Sequence, residues 1–90
     1  MSRKEKLLKR FLTNPPASDF RWDELETLMG HLGFKLEETT GGSSHKTFII
    51  DAYPDRVIYT YRPHPDGILK AYQVREIRKQ LRVWGMIEYE

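Results

Sequence analysis

Apolar residues recur at intervals of three and four from Trp22 to Leu32, a spacing that places them on one face of a helix. Asp19 lies where it can cap the start of this helix, and the acidic residues after Trp22 suit the positive end of the helix dipole. Gly33 follows the stripe directly, and glycine commonly ends a helix. We therefore predict an amphipathic helix over this segment.

A shorter helical pattern lies near the N-terminus, in the sequence KEKLLKRFL of residues 4–12. Leucine and phenylalanine recur there at helical spacing, and the prolines at positions 15 and 16 end any helix before them. We predict a helical extension within residues 1–16 and one domain over residues 17–90.

After Gly33 the hydrophobic pattern changes to a period of two, with Phe34 and Leu36 alternating with charged residues. The segments HKTFIID at 45–51 and RVIYTYR at 56–62 are rich in β-branched and aromatic residues. Turn-forming residues separate all three segments. The pattern predicts three strands in an antiparallel meander.

The helical period returns near the C-terminus. Prolines and a glycine in residues 63–67 interrupt the chain, and a helical stripe then begins within residues 69–72 and stops at Gly85. We expect Met86 and Ile87 to fold back onto the core. Both main helices need one face of the sheet to bury their stripes, so the fold class is α+β, a two-layer sandwich of α-β-β-β-α order with an additional short N-terminal helix.

Composition narrows the class of protein. The 90 residues fit one domain, and the lack of cysteine excludes disulfides and thiolate metal sites. No apolar run approaches the roughly 20 residues that span a bilayer. The formal net charge of +2 is mildly basic, with positive charge concentrated near both ends of the chain. We expect a soluble, cytoplasmic protein that is monomeric when alone.

Three histidines are candidates for proton-transfer chemistry, because histidine changes charge near neutral pH. His31 lies on the less apolar side of its predicted helix and is expected to be an ordinary surface residue. His64 is flanked by prolines in a loop that either faces a ligand or only connects two elements. His45 follows the glycine-serine segment 41–44, which leaves room for a bulky ligand and offers donors to phosphate oxygens.

The order of these motifs resembles the HicA toxins of bacterial HicA–HicB toxin-antitoxin systems. The resemblance covers residues 22–87 and rests on WDEL at 22–25, LGF at 32–34, the Gly-Ser loop before His45 and RPHPDGILKAYQVREIRKQL at 62–81. Members of this family are small mRNA interferases with a fold like the double-stranded RNA-binding domain. The resemblance implies an endoribonuclease with His45 as the catalytic acid or base and a HicB-like antitoxin as protein partner.

For an RNA partner, side chains with hydroxyl groups or positive charge are the candidate ligands of phosphate. The RNA-binding candidates are Ser43, Ser44, Lys46, Arg62, His64, Arg75, Arg78 and Lys79. In a regular strand, Lys46 points to the sheet face opposite His45. We predict no cofactor and no metal, because the acidic residues near His45 lack the spacing of a ligand set.

Two other functions fit the same sequence, and a third is disfavoured. A non-catalytic RNA-binding module would use the same basic helices, with His45 only lining the surface. An inactive relative would bind its antitoxin and nothing else. A winged-helix DNA-binding domain is disfavoured, because strand-like sequence follows the helix at 22–32 where a helix-turn-helix would need another helix.

Overall fold

A computed structural model describes residues 2–13, 15–37 and 45–87. Its elements, in chain order, are α1 (Arg3–Phe11), α2 (Trp22–His31), β1 (Lys35–Glu37), β2 (His45–Ile49), β3 (Ile58–Tyr61) and α3 (Ala71–Val83). The three strands are antiparallel neighbours in the order β1-β2-β3. The predicted α-β-β-β-α order, the additional N-terminal helix and the meander are therefore confirmed.

The ends of α2 differ in how well they were predicted. The N-cap is Arg21, whose backbone N–H donates to Glu24 Oε1 at 3.1 Å. The prediction that Asp19 caps the helix is wrong, because its carboxylate instead accepts a hydrogen bond from Arg10 at 2.9 Å. Gly33 follows the C-cap with φ of +98°, a left-handed conformation that glycine adopts without a steric penalty, so the predicted helix end is confirmed.

The pairing register divides the sheet into two faces. Leu36 is opposite Phe48, and Phe48 is opposite Ile58. Directly opposed residues project to the same side of an antiparallel pair, so this row defines what we call the inner face. The alternate positions, which include His45 and Tyr61, project from the outer face.

The inner face packs against α2 and α3. The rings of Trp22 and Phe48 have centroids 5.6 Å apart, which joins α2 to β2. The rings of Phe34 and Trp84 stack at 6.2 Å, which joins the start of β1 to the end of α3. Ile87 is buried, so the expected return of the chain onto the core is confirmed. The structure is the predicted two-layer sandwich.

Helix α1 belongs to the same core. Leu7 and Phe11 are both buried, and the ring centroid of Phe11 lies 5.5 Å from that of Phe20. Arg10 forms ion pairs with Asp19 and Glu24. The predicted domain boundary after residue 16 stays a prediction. The side chains of α1 nevertheless contribute to the same apolar cluster as those of α2 and α3.

Arg78 connects α3 to the end of α1. Its side chain is buried, and its guanidinium donates to the carbonyl oxygens of Phe11 at 3.4 Å and Thr13 at 3.0 Å. A buried cation is costly unless it makes such hydrogen bonds. Arg78 therefore holds the segment after α1 against the domain.

Replacing Phe11 with alanine is expected to lower the free energy of unfolding by about 3 to 5 kcal/mol, because it removes a fully buried aromatic side chain. Urea denaturation measures this change. Lys9→Ala, an exposed change on the same helix, is the control and is expected to be nearly neutral. Equal stability of the two variants would show that α1 is a detachable extension.

Replacing Arg78 with methionine is expected to lower the free energy of unfolding by about 1.5 to 3 kcal/mol, because two carbonyl oxygens lose a charged donor. Lys79→Met removes an exposed cation from the next position and is expected to change stability little. Denaturation of both variants is the measurement. The structural role of Arg78 would be refuted if the two variants unfolded at the same denaturant concentration.

Candidate functional site

His45 is the first residue of β2, and its side chain is exposed. The antiparallel register places Tyr61, the last residue of β3, directly opposite it. Opposed Cα atoms in such a pair are about 4.5 to 5.5 Å apart, and their side chains leave the same face. His45 and Tyr61 therefore stand side by side at one end of the outer face.

Tyr61 forms a hydrogen bond with a second tyrosine. Its hydroxyl lies 2.5 Å from the hydroxyl of Tyr72, which is in the first turn of α3. The hydrogen bond with Tyr61 raises the pKa of Tyr72 above its ordinary value, so the Tyr72 phenol is neutral at physiological pH. A strand and a helix thus bring two phenol hydroxyls together, and one of the two belongs to the residue opposite His45.

The residues around His45 divide between the two faces. Lys46 is half-buried and pairs with Thr60, and it projects from the inner face. This is the geometry expected from a regular strand, in which the Lys46 side chain leaves the face opposite that of His45. Ser43 and Ser44 lie outside the described residues.

Arg62 and His64 lie in the segment that follows β3. This loop is fixed by a hydrogen bond from the Gly67 N–H to the Pro63 carbonyl at 3.0 Å and by one from the Trp22 N–H to the Gly67 carbonyl at 2.8 Å. Gly67 has φ of +73°, and a Cβ atom there would lie 3.5 Å from Arg62 Nε. That distance is an ordinary van der Waals contact, so it is the positive φ that favours glycine here, and the side chains of Arg62 and His64 are both exposed.

The basic residues of α3 fall on different sides of the helix. Arg75 and Lys79 are exposed, and they share one stripe with Tyr72 at spacings of three and four. Arg78 faces the core instead, where it binds the carbonyl oxygens of Phe11 and Thr13. The structure thus joins two of the three basic residues predicted on α3 to one solvent-facing surface, which we call the basic stripe (Tyr72, Arg75 and Lys79). Glu76 is also exposed on this side.

Tyr61 and Tyr72 were not predicted as site residues from the sequence. Tyr61 occurs in a strand pattern typical of any sheet, and Tyr72 occupies an unremarkable position in a helix. Only the register that opposes Tyr61 to His45 relates the strand to the histidine. The signal that could have pointed to these tyrosines was therefore the pairing of the two strands. One sequence alone does not give that pairing residue by residue.

Two negative findings concern the described ranges 2–13, 15–37 and 45–87. Within them, no three histidine, cysteine, aspartate or glutamate side chains come together as a set able to hold a metal ion. Within the same ranges, no helix has the length and apolar character that crossing a membrane requires.

Comparison with known families defines the class of this protein. A family model for the HicA toxin of bacterial toxin-antitoxin systems matches residues 22–83. Because the match covers more than half of the chain, the protein belongs to the HicA toxin family. The match begins at the first residue of α2 and ends at the last residue of α3, so α1 lies outside it. No curated protein and no solved structure matches the chain.

Proposed function

We propose that this protein is the toxin of a toxin-antitoxin pair and acts as an endoribonuclease on mRNA, with His45 as general acid or base. Membership of the HicA toxin family supports the toxin. The observation that carries the chemistry is the placement of His45, an exposed imidazole at the start of β2 on the outer face of the sheet. Histidine at such a position accepts and donates protons near neutral pH.

The proposed reaction uses the RNA itself as nucleophile. The ribose 2′-oxygen attacks the adjacent phosphorus as its proton departs, and the bond from phosphorus to the 5′-oxygen breaks. The products are a 2′,3′-cyclic phosphate and a 5′-hydroxyl that gains a proton. His45 takes the first proton or supplies the second, and no activated water or metal ion is needed for this step. One such group contributes about 10²- to 10⁴-fold, which suits a slow nuclease.

RNA is proposed to approach along the basic stripe and the loop after β3. Arg75 and Lys79 offer positive charge to phosphates, and Arg62 extends this charge to the end of the strand that carries Tyr61. His64 is exposed in the same loop. Arg78 is left out of this surface because its guanidinium binds backbone carbonyl oxygens inside the fold.

The family implies an antitoxin as protein partner. We propose a HicB-like antitoxin that covers either His45 or the basic stripe, and a cytoplasmic place of action, where mRNA is found. Either mode of cover would prevent RNA from reaching the site. The two modes differ in whether the antitoxin competes with a short RNA for Arg75 and Lys79.

Replacing His45 with alanine is expected to slow RNA cleavage by about 10²- to 10⁴-fold while leaving RNA affinity nearly unchanged, because the imidazole moves protons and contributes little binding energy. Gel analysis of RNA ends measures cleavage, and fluorescence anisotropy measures binding. His31→Ala is the control, since it removes an exposed histidine from α2. Cleavage by His45→Ala at the parent rate would leave a non-catalytic role for this histidine.

Replacing Arg75 or Lys79 with alanine is expected to weaken RNA binding for all sequences alike and to reduce the salt dependence of binding. The slope of log affinity against log salt should fall by about 0.7 for each lost contact with a single-stranded phosphate. Affinities measured from low to high potassium chloride test this. Lys4→Ala, an exposed lysine on α1, is the matched control. If Lys4→Ala weakened binding as much, the RNA path would be assigned to the wrong surface.

A further inference from the structure

Tyr61, the cross-strand neighbour of His45, forms a polar pair with Tyr72 that the proposed reaction does not use. Tyr61 comes from β3 and Tyr72 from α3, and their hydroxyl oxygens are 2.5 Å apart. Each phenol has one proton to donate and can also accept. The bond between the two hydroxyls uses one of these protons, so the other phenol still has a proton for an external acceptor.

The pair is not required to join β3 to α3. Gln73 already makes that connection, because its Nε2 donates to Thr60 Oγ1 at 2.9 Å and to the Tyr61 carbonyl oxygen at 2.6 Å. Gln73 is buried, whereas Tyr72 is 53% exposed. A hydrogen bond in contact with water adds little net stability, since water satisfies the same groups in the unfolded chain. The solvent-facing tyrosine pair is therefore available for a ligand.

The hydroxyls of the pair suit a ligand that carries acceptor oxygens, and the charges around them are of both signs, since Glu76 raises the pKa of Tyr72 and Lys70 lowers it. Tyr72 begins the basic stripe that continues to Arg75 and Lys79, and Arg62 directly follows Tyr61 in the chain. A neutral phenol donates to an anion, whereas a phenolate would repel it. The register opposes Tyr61 to His45, so one tyrosine of the pair is the cross-strand neighbour of the histidine.

We propose that the hydroxyls of Tyr61 and Tyr72 bind the scissile phosphate and donate a hydrogen bond to one of its non-bridging oxygens while His45 transfers the proton. This inference rests on the proposed ribonuclease function. Negative charge grows on the non-bridging oxygens as the 2′-oxygen adds to phosphorus. A preorganised donor aimed at that charge stabilises the transition state more than the bound substrate. The pair then acts mainly on the cleavage rate.

The test compares the parent protein with Tyr61→Phe, Tyr72→Phe and the double variant in single-turnover cleavage of one RNA. Tyr59→Phe is the matched control, since Tyr59 lies on the same strand and face, is 80% exposed and is opposite Thr47. Each single change is expected to lower the cleavage rate constant by about 10- to 100-fold, the effect of one hydrogen bond to a charged group. The double variant should lose no more than the slower single variant, because the two hydroxyls act as one unit.

A sulfur substitution in the RNA separates phosphate contact from a structural effect. Sulfur in place of the contacted non-bridging oxygen is a poorer acceptor, so the parent should cleave one phosphorothioate diastereomer more slowly than the other. The Tyr61→Phe and Tyr72→Phe variants should lose this discrimination, and their melting temperatures and RNA affinities should stay near those of the parent. These results would support the proposal.

Other results would overturn it. If the phenylalanine variants cleave like the parent, or keep its phosphorothioate discrimination, the tyrosines do not bind the scissile phosphate, although the ribonuclease function stands. A lower melting temperature with equal losses of affinity and rate would make the pair only a structural link. If the parent cleaves no RNA while Tyr59→Phe and the parent fold normally, the ribonuclease function itself is wrong and the tyrosine proposal is wrong with it.

Discussion

The pairing register of β2 with β3 is the constraint on which both the core and the candidate site depend. It places Phe48 opposite Ile58 on the inner face and His45 opposite Tyr61 on the outer face. A slip of one residue would turn every side chain of a strand to the other side, which would expose Phe48 and direct His45 into the helices. Burial of the aromatic core therefore also fixes the face from which the histidine projects, so the stability of the sheet and the geometry of the candidate site have the same physical origin.

The helical period of α3 divides its side chains between the core and the proposed RNA surface. Its inward side holds Gln73 against β3 and Arg78 against the segment after α1. Its outward side carries Tyr72 and the basic residues that follow it. Since α1 lies outside the residues matched by the family model and still contributes Phe11 to the core, the core of this chain extends beyond the matched residues.

The sequence predicted the elements better than it predicted their contacts. Periodicity alone located the helices and strands, because the change from a period of three and four to a period of two is strong on both sides of Gly33. The sequence predicted the wrong partner for Asp19. The cation that binds its carboxylate is Arg10 on α1, and only tertiary packing brings that residue close. The sequence also grouped Arg78 with the exposed cations, because a charged side chain is usually exposed. Arg78 is buried because two backbone carbonyl oxygens accept its hydrogen bonds. The resemblance to HicA toxins singled out His45, whereas Tyr61 and Tyr72 required the register.

In the proposed reaction, the ribose 2′-hydroxyl is the nucleophile and His45 assists the cleavage. The most direct measurement maps the cleavage sites of an RNA and then repeats the reaction, in the presence of a chelator, with a single 2′-deoxy nucleotide on the 5′ side of the preferred bond. If the 2′-hydroxyl attacks, cleavage at that bond disappears, cleavage elsewhere continues, and the unmodified RNA yields a 2′,3′-cyclic phosphate end. Continued cleavage at the deoxy position would contradict it, because another nucleophile would then have attacked the phosphorus.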